Sequence, residues 1–305
     1  MQNPARHTAL YTLLGGVAIV LWSSNIAFTR EVTERFGTLP AAALAQLIGG
    51  GAGLLYLGGT RTLGALFRQP WRYLVAGSGL ITLYMACLYL ALGLSSRRQV
   101  VDISLINYLW PGLTLLLSVP LLKRRASLWL LVGILLAFAG VAIATLPPGA
   151  PMWGEFAQNL RSHALPYLLA LSAALAWAVY SNISRRWASA APVSAMPLFI
   201  FIAGVAMLPF SLPLPSATAW TPAATGSLLY LALGPTLLGY LLWDLGARHG
   251  RLTLLASLAN FIPLFSTLII SAYLHVPLSP YIGLAVALLI GGAAICNAAM
   301  PGEGK

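Results

Sequence analysis

Aromatic and amide side chains recur at helical spacing inside stretches that are otherwise almost entirely apolar. Trp22, Asn25 and Thr29 follow at intervals of three and four residues, so a helix would place them on one face. The same spacing recurs at Trp177, Tyr180 and Ser184. Indole and phenol rings offer flat apolar contact together with a polar group, and their faces attract ammonium groups. This pattern predicts the binding of a neutral solute that has an apolar side chain.

Further candidates for the same pathway are polar or aromatic residues inside other apolar stretches. Such groups are costly in hydrocarbon, so we expect them to face the interior of a helix bundle or a water-filled cavity. They are Gln46, Tyr84, Tyr89, Asn107, Tyr108, Trp110, Tyr240, Trp243, Asp244 and Asn260. For Asn25, Gln46 and Asn260, hydrogen bonding between helices is an equally good explanation, worth about 0.6 kcal/mol each.

Two prolines inside apolar stretches predict broken helices. Pro111 would free the carbonyl of Asn107, and Pro263 that of Ala259, because proline removes a backbone donor and bends the axis. In transporters built from two internal repeats, helices that are broken at corresponding positions indicate a binding site. We therefore add Pro111 and Pro263 to the predicted substrate pathway.

No arrangement typical of catalysis or metal binding is found in the sequence. An enzyme in the membrane would need paired acids, a histidine cluster or a nucleophile with a base. The four histidines lie in predicted termini or loops, and the only acids near apolar stretches are Glu31, Asp102 and Asp244. Cys87 and Cys296 lie in apolar stretches and are interpreted as small buried apolar residues. We expect no enzyme activity, no cofactor and no metal.

The composition identifies an integral membrane protein. Only 8% of the 305 residues are charged and 59% are hydrophobic, whereas soluble domains carry about 25% charged residues. The net charge of +11 does not indicate nucleic-acid binding, because the basic residues stand in small groups between apolar stretches. The expected partners are the lipid bilayer and a small-molecule substrate, and we expect a monomer.

About 20 apolar residues are needed to cross the hydrocarbon core as a helix. Ten stretches meet this requirement, at residues 10–29, 41–59, 73–93, 100–122, 127–146, 165–185, 194–212, 226–246, 252–274 and 280–299. The first stretch is too long for a signal peptide and is followed by no cleavage site, so we expect it to be retained.

The distribution of basic residues predicts the orientation. With an even number of spans both termini lie on one side, and twelve of the 17 lysines and arginines then fall on that side. Basic residues favour the cytoplasm. We therefore expect both termini in the cytoplasm and the turn at residues 97–99 in the periplasm.

The chain contains an internal repeat of about half its length. Trp22 corresponds to Trp177, Pro111 to Pro263, and the glycines Gly133 and Gly140 to Gly283 and Gly292. Each unit holds five predicted spans, so the second unit must enter the membrane from the opposite side. We predict an all-α membrane protein with ten transmembrane helices as two inverted five-helix repeats, residues 1–147 and 148–305, an organisation typical of secondary transporters.

These residues resemble the drug/metabolite transporter superfamily in its ten-helix, EamA-like form. The resemblance is carried by Val20-Leu21-Trp22-Ser23, Asn107-Tyr108-Leu109-Trp110-Pro111, Gly239-Tyr240 with Trp243, and His249-Gly250. It implies a basket of helices one to four and six to nine around a central pathway, with helices five and ten outside. It also implies export of aromatic and other neutral amino acids across a bacterial inner membrane.

Other functions, and other roles for Asp244, are also compatible with the sequence. Efflux of drugs or other metabolites by a member of the same superfamily would use the same architecture. Proton-coupled cation export is disfavoured because the first stretch has no acid before Glu31. Asp244 departs from the family pattern; pairing with Arg248 one helical turn later, in partly solvated surroundings, is favoured over a role in binding substrate or carrying a proton.

Overall fold

The computed structural model describes residues 4–95, 99–145, 164–212, 220–274 and 281–300, and within these ranges the protein is helical without strands. The predicted boundary at residue 147, residues 97 and 98 of the predicted turn, and both chain ends fall outside them. The absence of strands follows from the composition, because long apolar segments in lipid must satisfy their backbone groups within each helix.

The helices are numbered here in chain order, and several are composed of parts. They are α1 (Pro4–Phe36), α2 (Thr38–Gly59), α3 (Trp71–Gly93), α4 (Gln99–Asn107 and Trp110–Leu121), α5 (Trp129–Thr145), α6 (Ala164–Ala188), α7 (Met196–Met207, continued as a 3₁₀ turn over Leu208–Ser211), α8 (Pro222–Leu231, a π-helical part Ala232–Gly239, and Tyr240–His249), α9 (Leu252–Ala259 and Ile262–Leu274) and α10 (Ile282–Ala299). A one-turn helix, Leu63–Leu66, precedes α3.

Seven helices of the described chain are long and apolar enough to cross a membrane, namely α1, α2, α3, α4, α6, α8 and α10. The two parts of α9 make an eighth if the bent pair is one span, and α5 and α7 are shorter apolar helices. The protein is therefore a multi-pass membrane protein. All ten predicted stretches coincide with one of these helices, although α1 extends well beyond the predicted residues 10–29 at both ends.

Both predicted helix breaks are present. The helix α4 is interrupted at Tyr108–Leu109 and resumes with Pro111 in its first turn. The helix α9 is interrupted at Asn260–Phe261 and bends by 43° there. In each case the proline begins the second half, where its missing N–H would be unbonded anyway.

Glycines bring two pairs of helices together in antiparallel fashion. A methyl group added at Gly133 of α5 would lie 2.7 Å from Cys296 Sγ of α10, and one added at Gly140 would lie 2.9 Å from Leu289 Cγ. Later residues of α5 therefore contact earlier residues of α10, so the two helices are antiparallel. The helices α2 and α7 cross in the same sense, with Gly50 against Phe201 and Gly53 against Pro197.

The helix ends that carry most basic residues gather at one end of the bundle, called the basic end here. The side chain of Arg185 donates to Gly250 O at 2.7 Å, and that of Arg186 donates to Leu121 O at 3.0 Å. Ser127 N donates to Ala299 O at 3.0 Å. The ends of α4, α6, α8 and α10 therefore meet there, and the other end, where Tyr167 bonds Asp102, is called the opposite end.

Candidate functional site

An aromatic cluster from four helices, α1, α4, α6 and α8, occupies the middle of the bundle. The Trp22 ring is its centre, with ring centroids 5.7 Å from Trp177, 5.4 Å from Tyr240 and 5.5 Å from Trp243. Trp110 joins it at 6.2 Å from Trp22 and 5.0 Å from Trp243. These separations and the tilted or edge-on angles are those at which aromatic rings attract each other. Residues from both halves of the chain contribute to the cluster.

A cavity of about 160 Å³ lies beside this cluster. Its walls are formed by Trp22, Asn25, Tyr84, Leu88, Tyr89, Asn107, Tyr108, Trp110, Trp177, Tyr240, Ile262 and Ser266. A smaller adjoining cavity of about 30 Å³ shares Trp22, Asn25, Tyr89 and Tyr240 and continues along α1 to Thr29 and Thr33. The space therefore extends from mid-bundle towards the opposite end. Among the residues that the structure describes, none that lines either cavity carries a charge.

The irregular parts of the helices shape this cavity. The break in α4 separates Asn107 and Tyr108 from Trp110, and all three reach the wall. The π-helical part of α8 contains Pro235, whose carbonyl accepts a hydrogen bond from Trp22 Nε1 at 3.1 Å. A π-helical turn widens the helix and is frequent at functional sites. The ring orientation of Trp22 is thus fixed by a backbone group that a regular helix would use internally.

Behind the cluster, towards the basic end, lies a buried polar group that we call the Asp244 hub. Asp244 accepts hydrogen bonds from hydroxyl groups of α3, α6 and the loop before α7, and its Oδ2 lies 2.9 Å from Arg248 Nη2. The donors are Tyr73 at 3.4 Å, Tyr180 at 2.7 Å, Ser184 at 2.6 Å and Ser194 at 2.6 Å. The side chains of Asp244 and Arg248 are both fully buried.

The predicted pairing of Asp244 with Arg248 is present, but the expected partial solvation is wrong. Four helices cover the pair, so hydroxyl donors replace water around the carboxylate. Arg248 Nη1 in turn donates to Ala188 O at 3.1 Å. Removing one partner of a buried pair of this kind typically costs about 3–5 kcal/mol, because the other charge is left uncompensated. The hub therefore holds α3, α6, α7 and α8 together at the basic end.

Both halves of the chain match the sequence pattern of one transporter family. The model of the EamA-like transporter family matches the chain twice, at residues 9–146 and 164–298. The chain belongs to the EamA-like transporter family. The double match covers both predicted units, and the predicted membership is confirmed. The EamA-like chain is accordingly a transporter rather than an enzyme.

Individual relatives cover nearly the whole EamA-like chain. The aromatic amino acid exporter YddG of Salmonella typhimurium is 33% identical over 298 residues, which is 93% of this chain and 96% of the relative. The protein of the same name from Ancylobacter novellus is 31% identical, covering 94% and 96%. A solved crystal structure superposes with a TM-score of 0.80 at 28% identity and covers 94% of this chain and 97% of its own.

Nine predicted pathway residues of this EamA-like transporter line the larger cavity. They are Trp22, Asn25, Tyr84, Tyr89, Asn107, Tyr108, Trp110, Trp177 and Tyr240. Trp243 is fully buried in the aromatic cluster but does not reach the cavity, and its Nε1 donates to Ser181 Oγ at 3.2 Å. Tyr180 and Asp244, also predicted for the pathway, lie in the hub.

The remaining predicted residues lie away from both cavities. Gln46 Nε2 donates to Ala42 O at 3.2 Å and to Met207 Sδ at 3.1 Å, so this amide joins α2 to α7. Asn260 Nδ2 donates to Ala256 O at 3.3 Å within its own helix. Pro111 and Pro263 are buried and act through the helix breaks that they begin.

Tyr73, Ser194, Ile262 and Ser266 were not predicted from the sequence. Tyr73 lies in the first turn of α3 beside Arg72, where an interfacial aromatic would be expected equally well. Ser194 precedes α7 in a loop, and hydroxyl residues are common in loops. Only the burial of Asp244 indicates that such donors must be close, because a buried carboxylate needs several.

Proposed function

We propose that this protein exports aromatic and other neutral amino acids across the bacterial inner membrane by alternating access. The observation that carries the proposal is the cavity of Trp, Tyr and Asn side chains, whose described lining residues are all uncharged. Aromatic faces suit the ring of an aromatic amino acid, and the uncharged walls favour solutes without net charge. The relatives named aromatic amino acid exporter support the same substrate class.

Two buried polar atoms at the cavity wall are left for a substrate to use. Trp177 Nε1 is a donor without a partner and Asn107 Oδ1 is an acceptor without a partner. Unbonded buried groups are uncommon because each costs about 1–3 kcal/mol. A small rearrangement on binding would let Trp177 donate to a substrate carboxylate and Asn107 accept from its ammonium group.

The proposed architecture is ten spans in two inverted units of five. The antiparallel crossings support it, because α5 with α10 and α2 with α7 are corresponding helices of the two units. Corresponding helices that run in opposite directions are what inversion requires. Contacts between helices also correspond in the two units. The contact of α3 with α6 corresponds to that of α8 with α1, and the contact of α4 with α6 corresponds to that of α9 with α1.

The proposed orientation places the basic end and both termini in the cytoplasm. Positive residues are retained on the cytoplasmic side during insertion, which supports this assignment. The cavity then extends towards the periplasm while the Asp244 hub closes the cytoplasmic side. The structure is accordingly interpreted as an outward-facing state, and cytoplasmic loading would require the hub to open.

Transport by purified protein in proteoliposomes tests the function. We expect uptake of labelled phenylalanine by the parent protein and at least about tenfold less by Trp22→Ala and by Trp177→Ala, since each replacement removes a central ring of the cluster. A parallel assay with and without a pH gradient measures proton coupling. Trp129→Ala is the control, because this tryptophan is 64% exposed and is not among the described residues that line the cavities.

The control separates the site from general effects of tryptophan loss. Equal amounts of folded protein, measured by size-exclusion chromatography, are required for each variant. Full phenylalanine transport by both cavity variants, or equal loss in Trp129→Ala, would contradict this site.

A further inference from the structure

In the internal repeat, residues of the Asp244 hub correspond to residues that line the cavities. Trp22 is aligned with Trp177, and Tyr84 of α3 with Tyr240 of α8. Three further pairs of positions then correspond: Asn25 with Tyr180, Thr29 with Ser184, and Leu88 with Asp244. The first member of each pair lines one of the two cavities. The second member of each pair belongs to the hub. Equivalent positions of the two units are thus open on one side and closed on the other.

In a transporter made of inverted repeats, the two units exchange conformations when access alternates. The positions that are closed in one state become the open positions in the other. Tyr180, Ser184 and Asp244 should then line a cavity that opens at the basic end. The hub is therefore the entrance of the alternative state, seen here in its closed form.

The two entrances differ in chemistry. The open side has Leu88 where the closed side has Asp244, and the described residues that line the open cavities are uncharged. At the closed side, Asp244 and Arg248 are both buried and neutralise each other at 2.9 Å. Arg248 Nε is buried without a hydrogen-bond partner, so this N–H of the guanidinium is available to a ligand.

An opened pair of this kind matches the head group of an amino acid. The carboxylate of Asp244 can hold an ammonium group, and the guanidinium of Arg248 can hold a carboxylate in bidentate geometry. A zwitterion offers both groups together. It can therefore replace each partner of the internal pair without leaving either buried charge uncompensated, which a ligand with one charge cannot do.

We propose that the Asp244–Arg248 pair is the latch of the cytoplasmic entrance, and that a zwitterionic amino acid opens it by exchanging ion-pair partners, its ammonium binding Asp244 and its carboxylate binding Arg248. This inference rests on the proposed function, which it deepens by assigning a loading site. It requires substrates to carry both a free ammonium and a free carboxylate. Once the substrate reaches the uncharged cavity, the latch re-forms behind it.

The test measures access to a cysteine beside the latch. In a background in which Cys87 and Cys296 are alanine, the reporter Ala188→Cys is buried next to Arg248 and reacts slowly with a membrane-impermeant maleimide in nanodiscs. We expect Asp244→Asn to raise the labelling rate at least about tenfold, because the latch loses its charge. Asp102→Asn is the matched control, since Asp102 also accepts from a tyrosine but at the opposite end.

Folding of the variants is controlled separately. The double variant Asp244→Asn/Arg248→Gln leaves no unpaired buried charge and should label as fast as Asp244→Asn. Both variants are compared at equal monodisperse yield. Labelling of the double variant at the parent rate would overturn the latch.

Ligands complete the test in the parent reporter. We expect phenylalanine to increase labelling and N-acetylphenylalanine and phenylalanine methyl ester, at equal concentration, to leave it unchanged. Equal stimulation by either analogue, or none by phenylalanine, would overturn the exchange of partners. Failure of the proposed function is distinguishable: the parent protein would then not transport phenylalanine in proteoliposomes, while Asp244→Asn would still expose the reporter.

Discussion

Residues that the sequence cannot tell apart have different environments in the structure. Gln46 and Asn107 are both amides inside apolar stretches. The side chain of Gln46 is 2% exposed between α2 and α7, whereas Asn107 lines the cavity with its Oδ1 unbonded. The same type of group therefore joins helices in one place and is available to a ligand in the other.

Replacing these two amides by leucine should separate the two roles. We expect Asn107→Leu to reduce phenylalanine transport by roughly tenfold, since one polar contact to a charged group is worth about 1.5–3 kcal/mol. Gln46→Leu should transport nearly normally, because its Oε1 is already unbonded and an apolar side chain fits the interface. Initial rates at equal protein content provide the comparison; similar rates for the two variants would refute the assignment.

At the scale of elements, close glycine contacts decide how the helices meet. Gly291 and Gly292 are adjacent in α10 but face different surroundings. A methyl group at Gly292 would lie 2.6 Å from Ala137 N, whereas one at Gly291 would meet nothing within 4 Å. The backbones of α5 and α10 can approach closely only if position 292 has no side chain.

Leucine at these adjacent positions should therefore have opposite consequences. Gly292→Leu is expected to destabilise the protein by about 3 kcal/mol or more, because the new side chain must push α5 away. Gly291→Leu should leave the melting temperature within about two degrees of the parent value, since surface substitutions usually change stability by at most about 0.5 kcal/mol. Thermal unfolding in detergent, followed by fluorescence, measures both; equal melting temperatures would contradict the α5–α10 packing.

The whole molecule presents two chemically different ends. The basic end is closed by the Asp244 hub, and the cavity extends to the other end along α1. Exposed tryptophans are present near both ends, with Trp71 72% and Trp220 46% exposed. Both are as expected for interfacial aromatic belts, where an amphipathic ring sits at the level of the lipid head groups.

Accessibility from each side of the membrane tests the orientation. In the background without native cysteines, Ala126→Cys reports on the basic end and Ala223→Cys on the opposite end, and both alanines are exposed. An impermeant maleimide added to intact cells should label Ala223→Cys only, whereas Ala126→Cys should react only after the membrane is opened. Labelling of both from the same side would refute the ten-span topology.

The sequence alone determined the class of the protein and much of its plan. Apolar stretches of fixed minimum length and rare charges leave only membrane-spanning helices, and the prolines predicted where α4 and α9 break. The spacing of Trp22, Asn25 and Thr29 predicted one lining face, because helical periodicity is a local property. The resemblance to EamA-like transporters added the family, which the double match to the chain confirmed.

Only the tertiary structure separated the cavity from the hub. Tyr180 follows Trp177 at the same spacing as Asn25 follows Trp22, yet Asn25 lines the cavity and Tyr180 bonds Asp244. Tyr73 and Ser194 come from distant parts of the chain and meet Asp244 through long-range packing. Which of two equivalent faces is open depends on the conformational state of the whole bundle, and local spacing carries no information about that state.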